Sequence, residues 1–96
     1  MLLNQIKANK SQILALGEKY GAKNIRVFGS VARGEERPDS DVDFLVEFPP
    51  GYDLIAQRIP MTYQLSELLH RPVELIPEHE LNRYIRDRVL SEAVAL

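Results

Sequence analysis

Leu2, Ile6, Ile13, Leu16 and Tyr20 recur at helical spacing, with Lys7, Lys10, Glu18 and Lys19 off that stripe. The pattern predicts helix over residues 2–20, with Gly21 as its C-terminal cap. Asn9 or Ser11 can start a fresh helix, so the pattern admits a break near them. Asn24 to Gly29 predicts a strand, with Ile25, Val27 and Phe28 apolar. The polar segment Ser30 to Glu36 predicts the first turns of a helix. Arg37-Pro38-Asp39-Ser40 is a turn, because proline fixes φ and Asp and Ser bond back to the backbone. Val42 to Phe48 predicts a second strand. Val42, Phe44 and Val46 share one face, and Asp41, Asp43, Leu45 and Glu47 share the other. Pro49-Pro50-Gly51 ends it.

Residues 52–59 fit either a helical turn or a loop. Pro60 suits the first turn of a helix, and Met61, Leu65, Leu68 and Leu69 continue an apolar stripe from it. His70-Arg71-Pro72 stops that helix. Pro72 to Ile76 predicts a third strand, and residues 79–94 predict a last helix with Leu81, Ile85, Val89 and Ala93 on one face. The order α-β-α-β-α-β-α points to one α/β sheet of three strands or more packed by about four helices.

Ninety-six residues, 45% hydrophobic and 27% charged, make a single domain, 1–96, with a modest core. The net charge of -2 argues against general nucleic-acid binding. It still permits a nucleotide whose charge is met by metal ions. The chain has no cysteine, which excludes disulfides and thiolate metal sites and suits a reducing cytoplasm. No apolar run has the length of a membrane span, and the N-terminus lacks the order of a signal peptide.

The candidate chemistry lies in Val27–Phe48. Asp41 and Asp43, two apart on a predicted strand, project from one face, and paired carboxylates suit a hard cation such as magnesium. A solvated strand explains that pattern equally well by itself. Gly29-Ser30 changes the balance. Glycine lets the backbone approach a ligand closely, and Ser30 offers a hydroxyl and a backbone N–H where a helix begins. One strand then ends in phosphate donors while its neighbour begins in metal ligands. Glu74 interrupts the apolar run Val73–Ile76. If it shares a sheet face with Asp41 and Asp43, three carboxylates converge, and the third either helps to hold a metal or accepts a proton. Otherwise it marks a strand facing solvent.

Gly29-Ser30, ten residues, then Asp41-Val42-Asp43, with Ala32-Arg33-Gly34 between, resembles the minimal nucleotidyltransferases of the DNA polymerase β superfamily. The likeness spans nearly the whole chain and extends to LLHRPVELIPE. It implies a small mixed sheet with helices, and transfer of a nucleoside monophosphate from an NTP, with ATP as the expected substrate, to an acceptor with two Mg2+ ions and release of pyrophosphate. It implies that Gly29 and Ser30 hold the outer phosphates and that Asp41 and Asp43 bind both metals. Glu74 falls where the family usually shows aspartate, a departure that leaves the third role open. Minimal nucleotidyltransferases commonly pair as antitoxins with HEPN-domain ribonuclease toxins. The resemblance therefore implies transfer of AMP to a tyrosine of such a partner, with neutralisation by binding alone as the alternative. Since the chain has no length for an acceptor-binding domain, the partner or a second copy is expected to complete the site.

Weaker candidates remain. Arg33 either meets a phosphate or pairs with Glu35, Glu36 or Asp39. Ser40 either orients Asp41 or completes the turn. His70 reads as a helix cap, and His79 has no second histidine at metal spacing. Tyr20, Tyr63 and Tyr84 read as core or rim residues, and Tyr52 as the more exposed one. Arg83, Arg86 and Arg88 read as a solvated face.

Overall fold

The computed structural model describes residues 2–96. Two helices, α1 (Leu2–Ala8) and α2 (Lys10–Tyr20), break at Asn9, one of the two positions the sequence marks. Gly21, at φ 78°, ends α2 in the left-handed conformation expected of a glycine cap. Strand β1 (Lys23–Phe28) runs directly into the short helix α3 (Gly29–Arg33), and the turn leads to β2 (Val42–Glu47). A π-helical segment, Leu54–Arg58, continues into α4 (Ile59–Leu69). Asp53 caps that segment by accepting from the N–H groups of Ile55 and Ala56 at 2.9 and 3.0 Å. Pro60 lies in the first turn of α4, and His70, at φ 55°, caps its end. Then follow β3 (Val73–Pro77), a 3-10 turn (Glu78–Glu80), α5 (Arg83–Glu92) and β4 (Val94–Ala95).

The sheet has the order β3-β2-β1-β4. β1 is antiparallel to β2 and β4, whereas β2 and β3 run parallel through the α4 crossover. Alternation along β2 sends Val42, Phe44 and Val46 into the main core. They meet Leu2, Ile6 and Ile13 of the first helices, Val31 of α3, and Met61 and Leu65 of α4. These side chains come from segments whose apolar stripes were readable singly, and each stripe is covered by another.

The other face of the sheet is closed differently. Arg26, opposite Leu45, bonds Glu78 at 2.6 Å, and Glu78 also pairs with Arg86 of α5 at 3.2 Å. The Arg26 guanidinium holds the Glu78 carboxyl below the usual carboxylate range. On this face Leu45 is fully buried, and Val89 of α5 nearly so.

Several expectations need correction. The last segment is not one helix over 79–94: Glu78–Glu80 forms a 3-10 turn, Asn82 caps α5 by accepting from Tyr84 N–H, and Val94 and Ala95 leave the helix to pair with β1. Two residues of strand are too short to show a period of two, so β4 carries no sequence signal of its own. The tyrosines also exchange roles. Tyr52 stacks on Phe48 at 4.8 Å between ring centroids, while Tyr63 and Tyr84 are exposed. Tyr52 is drawn inward because its hydroxyl donates to Glu80 and accepts from Arg58. Arg86 is tied to Glu78 rather than simply solvated.

Candidate active site

The β1–α3 junction and the start of β2 lie side by side, because Phe28 pairs with Asp43 across the antiparallel ladder. On the other flank the parallel ladder sets Asp43 opposite Glu74. Registration alone therefore brings together Gly29, Asp43 and Glu74, which are separated by 14 and 31 residues along the chain.

Gly29 adopts φ 76°, a conformation that L side chains rarely take. A Cβ at this position would overlap Asp43 Oδ2. The backbone of the turn thus lies directly against the Asp43 carboxylate, leaving no room for any side chain. Ser30, half-buried, is the second residue of α3.

Asp43 is half-buried, and Asp41 and Glu74 are exposed. Burial, then a hydrogen bond with Glu74, then the negative charges of Glu74 and Asp41 push the Asp43 carboxyl up to about 6, with Arg33 opposing. Two effects therefore raise it together, desolvation and like charge. The convergence of Glu74 with Asp43 follows from strand pairing.

Among the described residues, no three His, Cys, Asp or Glu side chains are already arranged as a metal cage. The donors present are carboxylate oxygens only, crowded enough to hold a proton against ionisation. That set fits a hard divalent cation bound through one or two carboxylates with phosphate oxygens completing its shell. It fits a cation arriving with a nucleotide better than a resident one.

Arg33 donates from Nε to Glu35 at 2.6 Å and from Nη1 to both Glu92 oxygens at 3.2 and 3.1 Å. The Glu35 pair is among those the sequence suggested; Glu92 is not. Ser40 completes the turn: its Oγ accepts from Arg37 N–H at 2.8 Å. Its carbonyl accepts from Arg71 at 3.2 Å, pinning the turn to the segment before β3. Among the described residues, its side chain makes no hydrogen bond to Asp41. His70 is a cap, and His79 lies by Tyr52 and Glu80. Glu92, whose carboxylate also accepts from Gly29 N–H at 3.1 Å, is the site residue that sequence reasoning missed. A signal existed. A glutamate at the last position of a helix opposes the macrodipole and calls for a partner.

An open groove of about 530 Å³ between α4 and β3 is lined by Arg58, Ile59, Thr62, Tyr63 and Val73. It meets the carboxylate set at Glu74 and excludes Gly29 and Asp43. It borders the carboxylate set rather than enclosing it. No described helix is long and apolar enough to cross a membrane.

Residues 10–96 match the nucleotidyltransferase domain family. The protein adenylyltransferase MntA of Thermococcus cleftensis is 40% identical over 79 residues, covering 82% of this chain and 79% of the relative. A Methanocaldococcus jannaschii protein named as a protein adenylyltransferase is 37% identical, covering 98% of this chain and 97% of its own length. A solved minimal nucleotidyltransferase superposes with a TM-score of 0.86 at 41% identity, over 100% of this chain and 97% of that one. A toxin–antitoxin structure with AMP-PNP shares the fold, with a TM-score of 0.76 at 24% identity over 91% of this chain and 71% of that one. With a matching family model over most of its length and relatives at 37 and 40% identity, the chain belongs to the nucleotidyltransferase domain family, as a minimal nucleotidyltransferase of the protein adenylyltransferase kind.

Proposed function

We propose that this protein transfers AMP from ATP to a tyrosine hydroxyl of a HEPN-domain toxin and so silences it. The observation that carries the reading is the registration of Asp43 between Gly29 and Glu74. The names of the relatives, protein adenylyltransferases that include MntA, support a protein acceptor, and the structural neighbour described as the toxin-antitoxin MntA-HepT supports a toxin as that protein.

In this reading the tight turn at Gly29 lets the outer phosphates approach, Ser30 and Arg33 receive them, and Asp41 and Asp43 would hold the magnesium of the nucleotide. Magnesium would supply charge neutralisation at the phosphates and polarise the α-phosphoryl group. The acceptor oxygen attacks the α-phosphorus. The new P–O bond forms as the bond to the bridging α–β oxygen breaks, and pyrophosphate leaves. Glu74, exposed and beside Asp43, takes the hydroxyl proton and passes it to water. The groove that ends at Glu74 gives the acceptor a path from the α4 side.

The test is incubation with labelled ATP, magnesium and the toxin encoded beside the gene, followed by mass spectrometry of the toxin. Label on a tyrosine, absent when EDTA is included in the incubation, is the expected result. An unlabelled toxin from a folded, ATP-binding protein would sink the proposal. Glu74→Gln is expected to slow labelling by about 100-fold, the usual scale of a lost general base, with KM for ATP little changed. Glu74→Asp should keep the rate within about tenfold, since it restores a carboxylate with a shorter reach.

A second reading, neutralisation by binding alone, is favoured by the glutamate, Glu74, at the third carboxylate position and by the open groove beside it. It predicts that an Asp41→Asn, Asp43→Asn double variant protects cells as well as the wild type.

A further inference from the structure

Glu92 closes α5, where the helix macrodipole disfavours a negative charge. Its carboxylate is compensated from another part of the chain: Gly29 N–H donates to it at 3.1 Å and Arg33 Nη1 at 3.2 and 3.1 Å. The side chain is only 18% exposed. Gly29 and Arg33 are the first and last residues of α3. One carboxylate thus spans the whole of that helix. A helix of five residues cannot hold its own geometry; tertiary contacts must place it.

We infer that Glu92 is a positioning residue of this active site, fixing Gly29 and Arg33 relative to each other and to Asp43 in the geometry that receives the triphosphate of ATP. The inference rests on the nucleotide reading of Gly29–Arg33 proposed above. The bond to Gly29 N–H sets the plane of the Phe28–Gly29 peptide, and the Asp43 carboxylate lies against the Gly29 backbone. Rotating that peptide would move the wall on which Asp43 rests. Arg33 is a long side chain with many rotamers. Glu35 on Nε and Glu92 on Nη1 hold it, and Nη2 has no hydrogen-bond partner among the described residues. One edge of the guanidinium is thereby kept free for a phosphate oxygen. Glu35 is 64% exposed and can give way to an incoming anion, whereas Glu92 is anchored at both ends of α3. That contrast separates positioning from competition: a carboxylate merely occupying the phosphate donors would be the exposed one.

The experiment titrates magnesium and a non-hydrolysable ATP analogue into wild type, Glu92→Ala and Glu92→Gln by calorimetry, and follows the Gly29 amide by NMR. Glu92→Ala is expected to weaken binding by about tenfold or more, since charge-assisted bonds are lost. Glu92→Gln should weaken it by about threefold, because its amide oxygen still accepts from Gly29 but carries no charge for Arg33. The Gly29 amide resonance should shift in both variants, and in transfer assays the loss should fall on KM for ATP rather than on kcat. Val89→Ala loosens α5 away from the phosphate turn and controls for simple destabilisation. It should lower Tm while leaving affinity within about twofold.

Unchanged or tighter binding by Glu92→Ala overturns the inference, as does equal loss of affinity in Val89→Ala. If Glu92→Ala does not fold, Glu92→Gln decides: wild-type affinity with an unmoved Gly29 amide overturns it. A wild type that binds no analogue removes the nucleotide reading and this inference together. A wild type that binds, with variants that match it, removes this inference alone.

Discussion

Replacing Asp43 by asparagine is expected to lower AMP transfer by about three orders of magnitude, equivalent to roughly 4 kcal/mol of lost transition-state stabilisation. The same change should make the metal-free protein more stable near neutral pH. Both follow from one feature, a half-buried carboxylate set between Glu74 and Asp41. Its pKa rises from 3.8 to about 6, so the fold holds the proton more tightly than the unfolded chain does. The associated stability is present below pH 4 and is lost as pH climbs through about 6. Unscreened, the shift corresponds to about 3 kcal/mol; for a group half in solvent, about 1–2 kcal/mol is realistic. An asparagine cannot ionise and can donate to Glu74. Melting curves in EDTA should therefore show Asp43→Asn about 5–10 °C above wild type at pH 8, converging near pH 4. Magnesium with ATP should raise Tm of the wild type and not of the variant. A variant no more stable than wild type at pH 8 would refute the electrostatic account. Retained transfer would refute the ligand assignment.

Gly29→Ala carries the second large effect. The methyl would overlap the Asp43 carboxylate, on a backbone whose φ of 76° already disfavours any L side chain. The backbone part costs about 1–2 kcal/mol, and the carboxylate must move as well. A shift on the order of 1 Å in a reacting group can cost about 100-fold in rate, and that is the fall expected in labelling. Gly51→Ala is the matched control. Gly51 has φ 79° with nothing within 4 Å of a built Cβ. It should lose comparable stability, read as Tm, and leave transfer unchanged. If both variants lose activity alike, proximity to Asp43 is not what makes Gly29 necessary.

Much of the architecture could be read before folding, because the relevant physics is local. The break at Asn9, the caps at Gly21 and His70 and the start of α4 around Pro60 each depend on a few neighbouring residues. The split of β2 into an apolar and a carboxylate face needs only the strand period. The same locality explains the failures. β4 is two residues long and exists because β1 has a free edge for it. Tyr52 and Tyr63 trade burial because Arg58 and Glu80 bind the first hydroxyl. Hydropathy along the chain contains neither fact.

The stretch Val27 to Phe48 suggests nucleotide chemistry through residue types and their spacing alone: Gly29-Ser30 ahead of Asp41 and Asp43. That much is one-dimensional, since a strand end, a tight turn and a period of two determine which groups project together. Whether Glu74 comes near Asp43 was undecidable along the chain. The parallel pairing of β2 with β3 puts it opposite Asp43. Glu92 depends still more on tertiary structure. Its partner Gly29 is 63 residues away, and only the packing of α5 against α3 brings the carboxylate to Gly29 N–H and Arg33. Residue identity supplied the reacting groups, and long-range registration supplied their distances, because hydrogen bonds and Coulomb forces act through space and not along sequence.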